Sequence, residues 1–268
     1  MIKKALTIAG SDSGGGAGIQ ADLKTFQELG VFGMSAVTAV TAQNTLGVHG
    51  VFPLTADAVS AQASAIGEDL PPDAVKTGML FNAEIILAAA DSIKNFGWKN
   101  VVIDPVMIAK GGSTLLQSEA VKAMIDHLIP LAAVITPNIP EAEEITGITI
   151  NNEENKREAC RIIHNMGAAS CLIKGGHEEN AEESADLLYD GHEFTALISK
   201  RIETRHTHGT GCTFSAALTA ELAKGSTIAK AAETAKQFIQ AAIEETLVIG
   251  EGHGPTNHWA FQKRMRQI

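Results

Sequence analysis

Gly209-Thr210-Gly211-Cys212-Thr213 sets two glycines and a thiol directly before an Ala-rich run, Ser215 to Ala223, that reads as a helix. Glycines let backbone N–H groups turn toward one point, and a helix start adds unpaired donors and a positive dipole end. Together these make an anion hole. A thiol at its centre is expected to have a lowered pKa, and a phosphoryl group in transfer is the natural occupant. A glycine turn ahead of a helix, with a buried cysteine, accounts for the same residues without chemistry.

Further residues of this kind fall after apolar runs. Ser13-Gly14-Gly15-Gly16-Ala17-Gly18 is donor-rich, but it lacks the Gly-Lys-Ser/Thr of a Walker A loop and the spacing of G-x-G-x-x-G. It is expected to cover a substrate or wrap a phosphate; the plain alternative is a tight packing loop. Asp104 ends a buried run, where a carboxylate is costly unless solvated or bound to something positive. Asn138 and Glu141 sit three apart at a helix start. Three oxygen donors there suit Mg²⁺ held largely through water, and Asn138 and Glu141 also fit a helix-capping box. Lys174, before Gly175-Gly176-His177, either reaches a nucleotide phosphate or is solvated. His206 and His208 have no further ligand at zinc spacing, and read as polar. Cys160 and Cys171 lie in apolar runs and read as core. No Gly-x-Ser-x-Gly is present, which puts phosphoryl transfer ahead of acyl transfer.

The elements that must position these residues alternate. Strands are expected at Ala5–Ala9, Ser35–Thr41, Ala74–Thr77, Asn100–Asp104, Ala132–Thr136 and Ser170–Lys174. Helices are expected at Ala17–Leu29, Ala56–Ile66, Ala83–Phe96, Glu119–Leu128, Ile139–Thr146, Asn155–Met166, Thr213–Lys224 and Ile228–Thr246. Asp190-Gly191 marks a hairpin between Ala185–Tyr189 and Glu193–Leu197. This pattern predicts an α/β fold with a mainly parallel central sheet, helices on both faces and antiparallel edge strands. No linker or repeat interrupts it, so residues 1–268 read as one domain. Ligands of such sheets bind beyond the C-terminal strand ends, where the polar motifs lie.

Composition narrows the partners. Of 268 residues, 45% are hydrophobic and 19% charged, enough apolar residue for a core and too little charge for wholesale disorder. A net charge of −10 argues against nucleic acid and anionic membranes. Aromatics at 4% weaken a base-stacking role. Three cysteines without CxxC spacing fit a reducing compartment. No run approaches the length of a membrane span, and the expected location is cytoplasmic.

Read in order, the motifs carry a resemblance. They are Ala5 to Asp12, Gly15 to Lys24, Thr41-Ala42-Gln43-Asn44-Thr45, Lys76-Thr77-Gly78-Met79-Leu80, Asp104-Pro105-Val106-Met107, Ile135-Thr136-Pro137-Asn138, Lys174 to His177, and Thr207 to Thr213. The set spans nearly the whole chain. It resembles the ribokinase-like kinases of hydroxymethylpyrimidine and vitamin B6, most closely the hydroxymethylpyrimidine/phosphomethylpyrimidine kinases of thiamine biosynthesis. The resemblance implies a three-layer α/β/α sandwich, ATP and Mg²⁺ as cofactors, a small aminopyrimidine alcohol and its monophosphate as substrates, and a homodimer. It implies that Gln43 bonds the aminopyrimidine edge, with Gly10 and Asp22 near the substrate and Met79 lining the pocket. Gly209, Gly211 and Cys212 would form the anion hole, with Cys212 as proton acceptor or only part of the hole. Asp104 and Glu141 would serve the metal. Lys174, Lys236, Asn138, Thr136 and Thr210 would lie near the nucleotide. Ile108-Ala109-Lys110-Gly111-Gly112 departs from the commoner Val-Ala-Lys-Ser-Gly. A B6 kinase and a non-catalytic pyrimidine-binding sensor are the rival readings; Gln43-Asn44-Thr45 favours the pyrimidine.

Overall fold

Strand β1 (Lys4–Asp12) is buried along almost its whole length, and this follows from its place at the sheet's centre. The structure, a computed structural model, describes residues 1–107, 118–175 and 182–266. The Ile108–Gly112 departure and Gly176-His177 therefore lie outside the described residues. After β1 come α1 (Gly18–Glu28), β2 (Phe32–Asn44), β3 (Gly47–Pro53), α2 (Ala56–Asp69), β4 (Ala74–Thr77), α3 (Ala83–Asn95), β5 (Val101–Ile103) and α4 (Ser118–Ala123). Then follow β6 (Val134–Ile135), α5 (Ile139–Thr146), α6 (Glu153–Asn165), β7 (Cys171–Ile173), β8 (Glu183–Tyr189), β9 (Phe194–Lys200), α7 (Thr210–Ala223), α8 (Ile228–Glu244) and α9 (Ala260–Arg266).

The strands form one sheet in the order β3-β2-β1-β4-β5-β6-β7-β8-β9. Neighbours from β2 through β7 are parallel. β3 at one edge and β8–β9 at the other run antiparallel. Side chains alternate between the faces, as a two-residue period requires. Leu6, Ile8, Val101, Ile103, Cys171 and Ile173 join one core with α2 to α6. Ala5, Val102, Val134 and Leu172 join the other, against Phe26, Phe214 and Phe238 of α1, α7 and α8. The expected three layers are present.

Two elements were not expected. β3 pairs Ala39–Asn44 of β2 although its two glycines, His49 and Pro53 make a poor strand signal; an edge strand tolerates such residues. α9 follows Trp259 and packs Phe261 on Phe238, with ring centroids 5.3 Å apart. The expected helix Glu119–Leu128 is also not uniform: α4 passes into a widened π turn at Met124–Leu128, then a tight turn at Ile129–Leu131 containing Pro130. Proline has no N–H to give and forces the chain out of the helix.

The order places β1 where the chain reverses direction across the sheet, with β2 on one side and β4 on the other. A crevice opens at such a point, beyond the C-terminal strand ends.

Candidate active site

A cleft of about 770 Å³ lies above these strand ends. At its floor is the start of α7. Gly209 precedes the helix with φ of 82°, a left-handed conformation that favours glycine, and a Cβ there would collide with the Gly16 carbonyl. Thr213 N–H donates to Gly209 O at 2.8 Å, and Thr210 Oγ1 donates to Thr207 O at 2.7 Å. The N–H groups of Gly211 and Cys212 belong to the first turn, where no helix carbonyl can accept from them. Gly209, Thr210, Gly211 and Cys212 all line the cleft.

The thiol corrects one expectation. Its pKa is not lowered by the helix start but raised to about 11. Burial does most of this, and the Asp22 and Asp104 charges add to it. Lys76 and the Gly18 N–H pull the other way without prevailing. The resting group is a thiol.

Around it stands a charge cluster. Lys174 Nζ donates to Asp104 Oδ1 at 3.0 Å and lies 4.0 Å from Glu141 Oε2. Ser215 Oγ of α7 donates to Asp104 Oδ2 at 3.1 Å. Burial pulls the Asp104 carboxyl upward, but Lys174 and Lys76 outweigh it and hold it below the usual carboxylate range. Burial, helped by the Asp104 charge, pushes Glu141 up to about 7 despite Lys174. Asn138 and Glu141 form a full capping box on α5: Glu141 N–H donates to Asn138 Oδ1 at 2.9 Å, and Asn138 N–H to Glu141 Oε2 at 2.8 Å. The capping expected for Asn138 and Glu141 is present, and each accepting oxygen keeps a second lone pair. Among the described residues no group of three or more His, Cys, Asp or Glu gathers for a metal.

Asp22, expected near the substrate, does not line the cleft. It is wholly buried below it, accepting from Lys76 Nζ at 2.8 Å on both oxygens and from Thr7 Oγ1 at 2.7 Å. Burial disfavours the charge on Lys76, but Asp22 outweighs it, with Asp104 adding to the pull, and the ammonium stays protonated. Lys76 lines the cleft from beneath. Thr136, expected near the nucleotide, is also fully buried, donating to Ile103 O at 3.3 Å.

At one end the cleft is lined by Gly10, Met79 and Gln43. A Cβ on Gly10 would strike the Met79 methyl. The glycine-rich loop does not offer its donors outward. Asp12 accepts from Gly14 N–H at 2.8 Å, Gly16 N–H at 3.0 Å and Ala17 N–H at 2.8 Å. An internal carboxylate fills the place expected for a phosphate. His208 Nε2 lies 2.8 Å from Asp12 Oδ2 and 3.2 Å from the Gln43 amide. At the other end Lys236 of α8 donates to Asp186 Oδ2 at 2.8 Å, and Gly175 N–H donates to Asp186 Oδ1 at 2.7 Å.

Sequence reading placed Asp12, Lys76 and His208 within its motifs but gave them no role, and it missed Asp186. Asp12 carried a signal, an aspartate before a glycine run that can bond the backbone two residues on. His208 carried none: its partner is 196 positions away. The assembled cleft offers open N–H donors at a helix start, fixed lysines on two sides and carboxylates opposite, a setting for moving a charged phosphoryl group.

Comparison with known proteins agrees with this chemistry. The sequence profile described as phosphomethylpyrimidine kinase matches residues 12–257. A hydroxymethylpyrimidine/phosphomethylpyrimidine kinase of Bacillus subtilis (strain 168) is 58% identical over 98% of this chain and 97% of its own length. A pyridoxine kinase of the same organism is 49% identical over 97% of each chain. The crystal structure of an ADP complex of Bacillus subtilis pyridoxal kinase superposes with a TM-score of 0.90 at 47% identity, covering 98% of this chain and 100% of that one. With a matched profile over most of its length and relatives this similar, the chain belongs to the phosphomethylpyrimidine kinase family, a family of ribokinase-like phosphotransferases.

Proposed function

We propose that this chain, acting as one kinase domain, uses ATP to phosphorylate 4-amino-5-hydroxymethyl-2-methylpyrimidine and then its monophosphate, as in thiamine biosynthesis. The observation that carries the reading is the open first turn of α7, set on a cleft floor between Gln43 at one end and Lys236 at the other. The N–H groups of Gly211 and Cys212 would receive the charge on the transferred phosphoryl, and Lys174 and Lys236 would face the nucleotide phosphates. Loose phosphoryl transfer depends on positioning and charge more than on a strong base. A protonated Cys212 at rest is compatible with that: the thiol completes the hole, and the alcohol's proton passes late, to an oxygen of the transferred phosphoryl group.

The residues fit Mg²⁺. Asp104 and Glu141 converge on Lys174, at 3.0 and 4.0 Å, and both line the cleft. Two carboxylates with water completing the shell are sufficient for this ion. Asp104 and Glu141 would hold the ion, which would supply neutralisation of the phosphate charge, with Lys174 beside it.

The second reading is a B6 kinase, favoured by the close superposition on a pyridoxal kinase. Steady-state ATP consumption with Mg²⁺ on the aminopyrimidine alcohol, its monophosphate and pyridoxal separates the two. Turnover on both pyrimidines, with pyridoxal slower, is expected. Turnover on pyridoxal alone sinks the pyrimidine reading, and no turnover at all would leave a sensor. The reading extends to a cytoplasmic enzyme and a homodimer, the latter tested by light scattering of pure protein.

A further inference from the structure

The Gln43 amide sits in a hydrogen-bond network whose protons can be counted. Its two ends have nearly the same shape, so the donors and acceptors around it decide which end points where. Asp12, which His208 touches at 2.8 Å, is a carboxylate with no proton to give. Burial favours a proton on it, but the hydrogen bonds from His208 and from the loop N–H groups prevail and hold its pKa below the usual value. The hydrogen in this contact therefore belongs to Nε2 of His208. A ring nitrogen that carries a hydrogen has no lone pair left in the ring plane. It cannot accept from an amide NH₂, so the Gln43 nitrogen that the structure sets 3.2 Å away is a donor facing a donor, and the contact is satisfied only with the amide turned over, its oxygen sharing that hydrogen with Asp12.

Thr41 gives the same answer independently. Its hydroxyl has one hydrogen, which goes to Ser11 O at 2.8 Å. It has none left for the Gln43 oxygen that the structure sets 3.2 Å away, but it can accept from the NH₂ that turning the amide over brings there. Both contacts therefore call for the turned amide, NH₂ toward Thr41 and oxygen toward His208. The rest of Gln43 is fixed as well: its N–H donates to Ser13 Oγ at 2.8 Å, and Ser13 Oγ donates to its carbonyl at 2.8 Å. The His208 ring is held in turn, because it packs where any Cβ on Gly16 would stand.

From this we infer that His208, anchored by Asp12, is a positioning residue that sets which way round the Gln43 amide meets the substrate, and thereby the selectivity for a ring carrying an amino group beside a ring nitrogen. The inference rests on the kinase reading above and deepens it. One lone pair of the Gln43 oxygen and one hydrogen of its nitrogen remain for the ligand. Such a ring fills both, its amino N–H to the oxygen and its ring nitrogen to the NH₂. An amide turned over exchanges the two, and the ring can follow only by turning over itself.

The test is the ratio of kcat/KM for 4-amino-5-hydroxymethyl-2-methylpyrimidine to that for the analogue with hydrogen in place of the amino group. Wild type is expected to prefer the amino compound. His208→Leu should lower the ratio about tenfold, chiefly through KM, the size of one well-placed hydrogen bond. His208→Gln, whose amide can still donate to Asp12, should restore most of it. Should His208→Leu fail to fold, Thr41→Val removes the other anchor and is read by the same ratio. Equal losses on both compounds, or an unchanged ratio, overturn the inference while the kinase reading stands. Wild-type enzyme inactive on both compounds overturns the pyrimidine-kinase reading, and the inference with it.

Discussion

At pH 7 the thiol of Cys212 keeps its proton, because the desolvation of a buried thiolate outweighs Lys76 and the Gly18 N–H. Iodoacetamide should therefore label Cys212 slowly at pH 7, with the rate climbing toward pH 11; full reactivity at neutral pH would show a thiolate and restore it as resting base. Glu141 titrates in the opposite sense from most carboxyls, since burial raises its folded value from 4.5 to about 7. The folded state holds that proton more tightly than the unfolded chain. Its stabilising contribution is complete below pH 4.5 and lost as pH rises through about 7. Glu141→Gln should accordingly leave stability little changed at pH 5 and raise it at pH 8 by roughly 1–3 kcal/mol. Denaturation at the two pH values checks this, and a penalty at pH 8 would mean that the charge is compensated as it stands. The same variant should need more Mg²⁺ for half-maximal activity.

Between elements, two junctions carry the site. The turn into α7 touches the loop after β1 so closely that Gly209 admits no side chain. Gly209→Ala should cost about 1–3 kcal/mol from its left-handed φ, with the collision added, and should lower kcat by pulling α7 back; a melting temperature within error of wild type would contradict this. The Lys76–Asp22 pair joins β4 to α1, both side chains fully out of water. Breaking it on one side, as Lys76→Met, strands a buried charge and should cost about 3–5 kcal/mol. Lys76→Met with Asp22→Asn should recover part of that loss, read by urea unfolding. Elements of this kind were legible where pattern and caps agreed. α5 was placed to the residue because Asn138, Pro140, Glu141 and Gly147 mark both its ends. β3 was not, since an edge strand needs only one partner and its residues bear no alternation.

Across the whole molecule, ligand binding should register as stability. Mg²⁺ with a non-hydrolysable ATP analogue at 100-fold its Kd should add about 2.7 kcal/mol to unfolding, and a thermal scan without a shift would argue against the nucleotide end around Lys236. The cleft's makers were readable from sequence because each follows a strand, and a parallel sheet brings strand ends together whatever the loops contain. Its internal pairings were not. Asp12 with the glycine loop, Lys76 with Asp22, and Lys236 with Asp186 each satisfy a group that sequence alone leaves free for ligand. The same sheet order has a consequence for synthesis on the ribosome. Residues that line one end of the cleft, from Gly10 to Met79, emerge early, yet His208 and the start of α7 arrive after nearly four-fifths of the chain. The nascent protein can build most of its sheet while its reactive centre does not yet exist. A chain truncated before residue 208 should be silent however well it folds.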